Sequence, residues 1–369
     1  MFYYLLEYIN KTFGPPGFDV FRFITFRAAA AAITALVISW LVGPRIIRIL
    51  KEKQIGESAK LEAPASHRAK AGTPTMGGLI VLAAVVIPVL LWGELHNTYV
   101  WLLLLATVLL GTVGFIDDYL KVVKKYPKGL IGEYKIVGQV LVGIIVGSVL
   151  YFGPEFSHYN SITTVPFFKN LTLDFGILYI PMIIFVIVAT SNAVNLTDGL
   201  DGLAIGTLSI TFISVAVISY ATGRVDFSNY LNIIYLPRSG ELAVFSAAVI
   251  GAGFGFLWYN AYPAQVFMGD TGSLALGGAL GVIMVMIKKE LLLPIVGGIF
   301  FAETVSVLIQ KSYFKYTKKK YGQGKRVFRM APIHHHFELL GWPEPKIVMR
   351  FYIVAIILAI LSLATFKVR

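Results

Sequence analysis

Asp198 and Asp201 lie three residues apart in NAVNLTDGLDG (residues 192–202), with Asn192, Asn195 and Thr197, between the apolar runs Ile177 to Ala189 and Leu203 to Ser219. At mid-bilayer the two aspartates alone would cost roughly 5 to 7 kcal/mol, so the stretch belongs at a membrane surface or against a wet cavity. If it starts a helix, its two carboxylates share a face. Acidic and amide side chains at the end of an apolar span point to a functional site; the plainer reading is a solvated turn with Asp and Asn beside glycine. Asp117 and Asp118 in GFIDDYLK are adjacent, so on a helix they point about 100 degrees apart and need another segment to complete a cation site. Asp270 in FMGDTGS is the natural third member. Oxygen donors in a chain without cysteine favour magnesium over zinc.

Lysines near such a centre suit a phosphate or diphosphate. Lys121 stands four residues after Asp117, on the same helical face, while Lys70 and Lys135 come from separate segments. Phosphoryl transfer asks chiefly for positioning and charge neutralisation. Lys124, Lys125 and the run Lys318 to Lys320 read instead as topology signals, and Phe267 reads either as a ring that stacks on a base or as packing. His334, His335 and His336 in APIHHHFE are chain neighbours and do not share one coordination face in regular structure, which favours structural or substrate-binding roles over zinc.

The elements that position these residues are membrane helices. The 369-residue chain is 57% hydrophobic and only 14% charged, which places it in the helical membrane class as one integral membrane domain over residues 1–369. Ten apolar segments are expected to cross, at about 23-43, 76-92, 99-116, 136-153, 176-191, 203-220, 241-258, 273-287, 291-310 and 347-366. Gly143/Gly147 and Gly251/Gly255 would let helices approach closely. The aromatic N-terminus lacks the pattern of a signal peptide and is expected to be retained.

The loops after the odd-numbered spans carry 21 lysines and arginines against 5 in the even-numbered ones. That bias puts the odd-numbered loops in the cytoplasm and both termini outside. It also gathers the polar stretches on one face, including SHRAKAGTPTMGG with His67, Arg68, Lys70, Thr73 and Thr75. The net charge of +12 is spent on topology and anionic ligands, and no nucleic-acid module accompanies it.

GFIDDYLK, NAVNLTDGLDGL, FMGDTGS and APIHHHFE, with SHRAKAGTPTMGG before them, closely resemble the bacterial phospho-N-acetylmuramoyl-pentapeptide transferases, within the polyprenyl-phosphate N-acetylhexosamine 1-phosphate transferase superfamily. The acidic motifs belong to the whole superfamily; the histidine motif points to the muramoyl-pentapeptide branch. The resemblance implies a ten-span, magnesium-dependent enzyme of the bacterial inner membrane, a homodimer with its active site on the cytoplasmic face. Such enzymes move phospho-N-acetylmuramoyl-pentapeptide from UDP-N-acetylmuramoyl-pentapeptide to undecaprenyl phosphate and release UMP. It also implies that Asp270 holds the metal, with Asp117 and Asp118 as the catalytic pair. Lys70, Asp201, Asn260 and Phe267 would form a uridine pocket, with Asn195 and Asp198 beside it and His334 and His335 near the sugar or diphosphate. His334 is counted with the catalytic residues, and Thr75, Lys121, Lys135, Asn192 and His336 with those that bind substrate.

Two other functions remain in view. Transfer of N-acetylglucosamine 1-phosphate to a polyprenyl phosphate would use the same acidic motifs, with the histidines as the discriminating feature. An ion-coupled transporter would need its acidic groups near the midplane at broken helices, whereas these fall at one surface.

Overall fold

The computed structural model describes residues 1–53, 70, 72–126, 129–168 and 171–366; His67 and Arg68 lie outside the described residues. A bilayer leaves the backbone no partner but itself, and the apolar runs accordingly form helices. A short amphipathic helix, α1 (Phe2–Phe13), leads into α2 (Ile24–Glu52), α3 (Gly78–Trp92), α4 (Thr98–Val122), α5 (Gly132–Phe152), α6 (Tyr179–Thr197) and α7 (Leu203–Thr222). The chain continues through α8 (Val225–Leu231), α9 (Leu242–Asn260), α10 (Gly269–Met286), α11 (Leu293–Val296), α12 (Gly298–Tyr321), α13 (Ile333–Leu339) and α14 (Glu344–Ala364).

Among the described residues, eight helices are each long and apolar enough to cross a membrane, which makes the protein a multi-pass membrane protein. Two of the ten expected segments depart from a simple span. The 76-92 segment holds the 15-residue helix α3, about 22 Å long at 1.5 Å per residue. The 291-310 segment is not one straight helix: α11 and α12 meet at Gly297 with a bend of 87°. The 154-175 segment adds a two-stranded antiparallel hairpin, Ile162–Thr164 against Thr172–Asp174, and among the described residues the remaining regular elements are helical.

α10 is the axis of the fold, with 89% of its apolar stretch buried; it packs chiefly on α4 and α6, while α9 packs on α2 and α7. Glycine sets the spacing where the contact is tightest. A Cβ on Gly251 of α9 would stand 2.0 Å from the Ala32 carbonyl oxygen of α2, so only a bare Cα lets those helices touch. The C-terminal ends of α4, α6 and α9 and the N-terminal ends of α7, α10 and α14 meet at one end of the bundle.

Candidate active site

The end of α4 and the start of α10 form an acidic centre. Gly114, one turn before Asp118, faces the first turn of α10; a Cβ there would lie 2.1 Å from the Asp270 carbonyl oxygen. Gly269 enters α10 at φ 73°, a left-handed conformation that glycine adopts without strain. Asp118 then accepts hydrogen bonds from the Asp270 and Thr271 amides at 3.2 and 2.9 Å and from the Thr271 hydroxyl at 2.6 Å. Its carboxylate thus satisfies otherwise orphaned N–H groups at the positive end of a helix.

Asp117 Oδ1 accepts from the Leu130 amide at 2.7 Å, and Oδ2 is ion-paired with Lys121 and, at 2.9 Å, with Lys135. Asp270 Oδ2 faces Lys135 at 2.6 Å and Lys121 at 3.5 Å, and its Oδ1 accepts from Asn195 Nδ2 at 2.9 Å. One oxygen of each of Asp117, Asp118 and Asp270 lies within 4.8 Å of the others. Asp117 is fully buried, whereas the Asp270 side chain keeps 15% exposure. Three carboxylates against two ammonium groups leave one buried negative charge, and all the donors are hard oxygens. This set fits a divalent cation of the magnesium kind.

A second cluster lies where α7, α9 and α14 meet. Lys70 Nζ bonds Asp201 Oδ1 and Glu344 Oε1, each at 2.6 Å. Asp201 also accepts from the Ala264 amide at 2.9 Å, and its own amide donates to Glu344 Oε1 at 2.6 Å. Asn260 Oδ1 accepts from the Gly202 amide at 3.1 Å while Nδ2 donates to the Val266 carbonyl. Phe267, half-buried, has its ring centre 6.0 Å from Lys70 Nζ. Burial works against the Lys70 ammonium, but Asp201 and Glu344 outweigh it and hold its pKa above the ordinary lysine value.

NAVNLTDGLDG does not start a helix. Its first six residues finish α6, Asp198 caps that helix half-exposed, and Gly202 at φ 79° begins α7. The two aspartates therefore do not share a helical face: Asp201 joins the Lys70 cluster, and only Asn195 from this stretch reaches Asp270. Asn192, one turn earlier, donates to Gln139 Oε1 and the Val188 carbonyl, both at 2.8 Å, and so braces α6 against α5. Thr75 stands at the entry to α10, its hydroxyl 2.9 Å from where a Cβ on Gly269 would be.

The rings of His334 and His335 touch, with centres 4.1 Å apart, but the three histidines bond different groups. His334 is fully buried, with Nδ1 3.1 Å from Glu303 Oε1 and its ring against Gly199. His335 pairs with Glu338 at 2.6 Å, and His336 Nδ1 accepts from the Arg329 amide at 3.1 Å. Each histidine thus has a partner of its own, and among the described residues the acidic groups that converge as one set are Asp117, Asp118 and Asp270. Glu303 and Glu344 were not singled out from the sequence. Glu303 carried a signal, a carboxylate inside an apolar run; Glu344 carried none, because its partner Lys70 is 274 residues away.

The Glycosyl transferase family 4 model matches residues 100–288, and a phospho-N-acetylmuramoyl-pentapeptide-transferase signature matches residues 70–82. Together these ranges contain Lys70 and Thr75, the acidic centre, and Asp201 with Asn260. Three curated proteins named phospho-N-acetylmuramoyl-pentapeptide-transferase align over the whole of both chains: those of Chloroherpeton thalassium at 56% identity, Pelodictyon phaeoclathratiforme at 54% and Salinibacter ruber at 52%. With full-length identity at this level, the chain belongs to the phospho-N-acetylmuramoyl-pentapeptide-transferase family.

Proposed function

We propose that this protein transfers phospho-N-acetylmuramoyl-pentapeptide from UDP-N-acetylmuramoyl-pentapeptide to undecaprenyl phosphate, giving lipid I and UMP. The observation that carries this reading is the meeting of Asp117, Asp118 and Asp270 with Lys121 and Lys135 at a helix end, in a chain 56% identical to a protein named for that transfer. Asp117 accepts the proton of the lipid phosphate or orients it. A lipid phosphate oxygen then forms a bond to the sugar-linked phosphorus of the donor, and the bond to the bridging oxygen breaks as UMP leaves. Lys121 and Lys135 neutralise the diphosphate, and Asn195 holds Asp270 in register. Asp270, with Asp117 and Asp118, is the set that would hold magnesium. When bound, that ion supplies Lewis-acid neutralisation of the donor diphosphate.

Lys70, Asp201, Asn260 and Phe267 receive the uridine, and Thr75, Asp198, His335 and His336 border the path to the sugar. His334, buried on Glu303, acts through the loop at Gly199. The ten apolar segments support ten crossings, and the lysine and arginine bias of the loops between them supports both termini outside and the site on the cytoplasmic face of a bacterial inner membrane. A homodimer is part of the same reading.

UMP release by the purified protein, given donor, undecaprenyl phosphate and magnesium, tests the proposal. Release is expected to require the lipid and to vanish with chelator. Consumption of UDP-N-acetylglucosamine in place of the muramoyl donor would overturn the substrate assignment, and a phosphosugar adduct on the enzyme without lipid would overturn direct displacement.

A further inference from the structure

At the far end of α10 from Asp270, about 27 Å away along an 18-residue helix, lies a second buried charged cluster. Lys288, Lys289 and Glu290 are 4%, 1% and 4% exposed. Lys289 Nζ donates to Thr164 Oγ1 at 2.8 Å, tying it to the hairpin. Tyr179 donates its hydroxyl to Glu290 Oε1 at 2.9 Å. Lys288 Nζ donates to that same phenol at 3.0 Å and lies 4.2 Å from the centre of its ring. In this desolvated place the ammonium of Lys288 has a phenol as its hydrogen-bond partner. A buried ammonium has three donors, and leaving them poorly used is costly.

Lys288 also lines a cavity of about 250 Å³, with Asn97, Tyr99, His158, Tyr159 and Arg238 among its walls. Arg238 is paired with Glu94 at 2.9 Å. The one carboxylate lining the cavity, Glu155, is exposed and accepts from Thr98 at 2.7 Å. The space is below the roughly 300 Å³ at which sites for drug-sized ligands begin. It is too small for a nucleotide sugar and sufficient for a phosphate group.

We infer that this cavity is an anion site, in which the Lys288 ammonium receives a phosphate group, either of a phospholipid headgroup or of free phosphate. Burial pushes the Lys288 pKa down to about 8, with Glu290 opposing, so the ammonium remains charged at neutral pH. Nothing in the proposed transfer uses these residues.

The test is thermal unfolding of the full chain in nonionic detergent at pH 7 and constant ionic strength. It is titrated with inorganic phosphate, with a short-chain phosphatidylglycerol, and with the matching phosphatidylcholine as a control. A saturable rise of about 2 to 4 °C is expected, absent with chloride and phosphatidylcholine. A response to phosphatidylglycerol alone identifies a headgroup, and one to inorganic phosphate as well identifies the phosphate group itself as sufficient. Lys288→Met should abolish the rise while retaining UMP release, which shows that it is folded; Lys288→Arg should keep the rise. Because Lys121 and Lys135 also suit phosphate, Lys135→Met serves as the second control and should keep the rise. No saturable rise in the wild type, a rise that survives Lys288→Met, or one that Lys135→Met removes would each overturn the inference.

Discussion

The acidic centre and the Lys70 cluster are made of the same parts, and each carries one more carboxylate than lysine, yet they are held differently. In the Lys70 cluster the single ammonium sits between Asp201 Oδ1 and Glu344 Oε1; the Ala264 amide donates to the other Asp201 oxygen, and the Asp201 amide shares Glu344 Oε1 with the lysine. At the acidic centre Asp117 and Asp270 share Lys121 and Lys135 by charge, with their oxygens within 4.8 Å of each other and of Asp118. Both are pinned in part by backbone amides, but the Lys70 cluster holds one ammonium between two carboxylates, which suits recognition of a fixed group. The acidic centre sets two ammonium groups side by side against Asp117 and Asp270, the preorganised positive charge that suits a diphosphate on which charge develops.

If that contrast is right, changes at the acidic centre should lower kcat and changes at the Lys70 cluster should raise KM. Asp270→Ala, which removes the carboxylate shared by both lysines and Asn195, is expected to lower the rate of UMP release about 10³-fold with little change in donor KM. Equal loss in KM would erase the distinction. Lys135→Met should cost about 10²-fold in kcat, read in the same steady-state assay. Glu344→Gln keeps the shape but weakens the hold on Lys70 and the Asp201 amide. Donor KM should rise about tenfold, some 1.4 kcal/mol of binding, with kcat nearly unchanged; a fall in kcat instead would place Glu344 with the reacting groups.

Asn192→Ala should lower stability by about 1 kcal/mol through its lost bond to Gln139, measured by thermal unfolding, with only a few-fold loss of activity. The smallest effect concerns pH. The pKa of Lys70 is raised on folding above 10.5, so its stabilisation is fully present below that value and is lost only as pH rises through the higher folded pKa. Donor KM should therefore show no Lys70 titration between pH 6 and 9, and a break in that window which Lys70→Met abolishes would contradict the geometry.

The polar stretches were legible because an apolar chain cannot carry aspartates, asparagines and lysines between its spans without a reason. Asp117, Asp118 and Asp270 were grouped correctly from residue type alone, since adjacent helical carboxylates need a partner from another segment. What misled was the local geometry of NAVNLTDGLDG. Spacing offers a shared helical face for Asp198 and Asp201, but the glycines at 199 and 202 let the chain turn there, which sends the two aspartates to different neighbours. The hairpin at 162–174 left no comparable trace, because its two three-residue strands are too short for a period-two pattern.

The amino-acid sequence by itself determined the class of molecule, the approximate spans and which residue types would meet at one face, because burial of apolar surface and the cost of charge in a bilayer act on composition and order alone. Tertiary structure decided the pairings: Lys70 with Glu344, His334 with Glu303, Asn192 with Gln139, and Lys288 with Tyr179. Those depend on how closely helices approach, and a missing Cβ at Gly114 or Gly251 fixes that distance only once the facing helix is known.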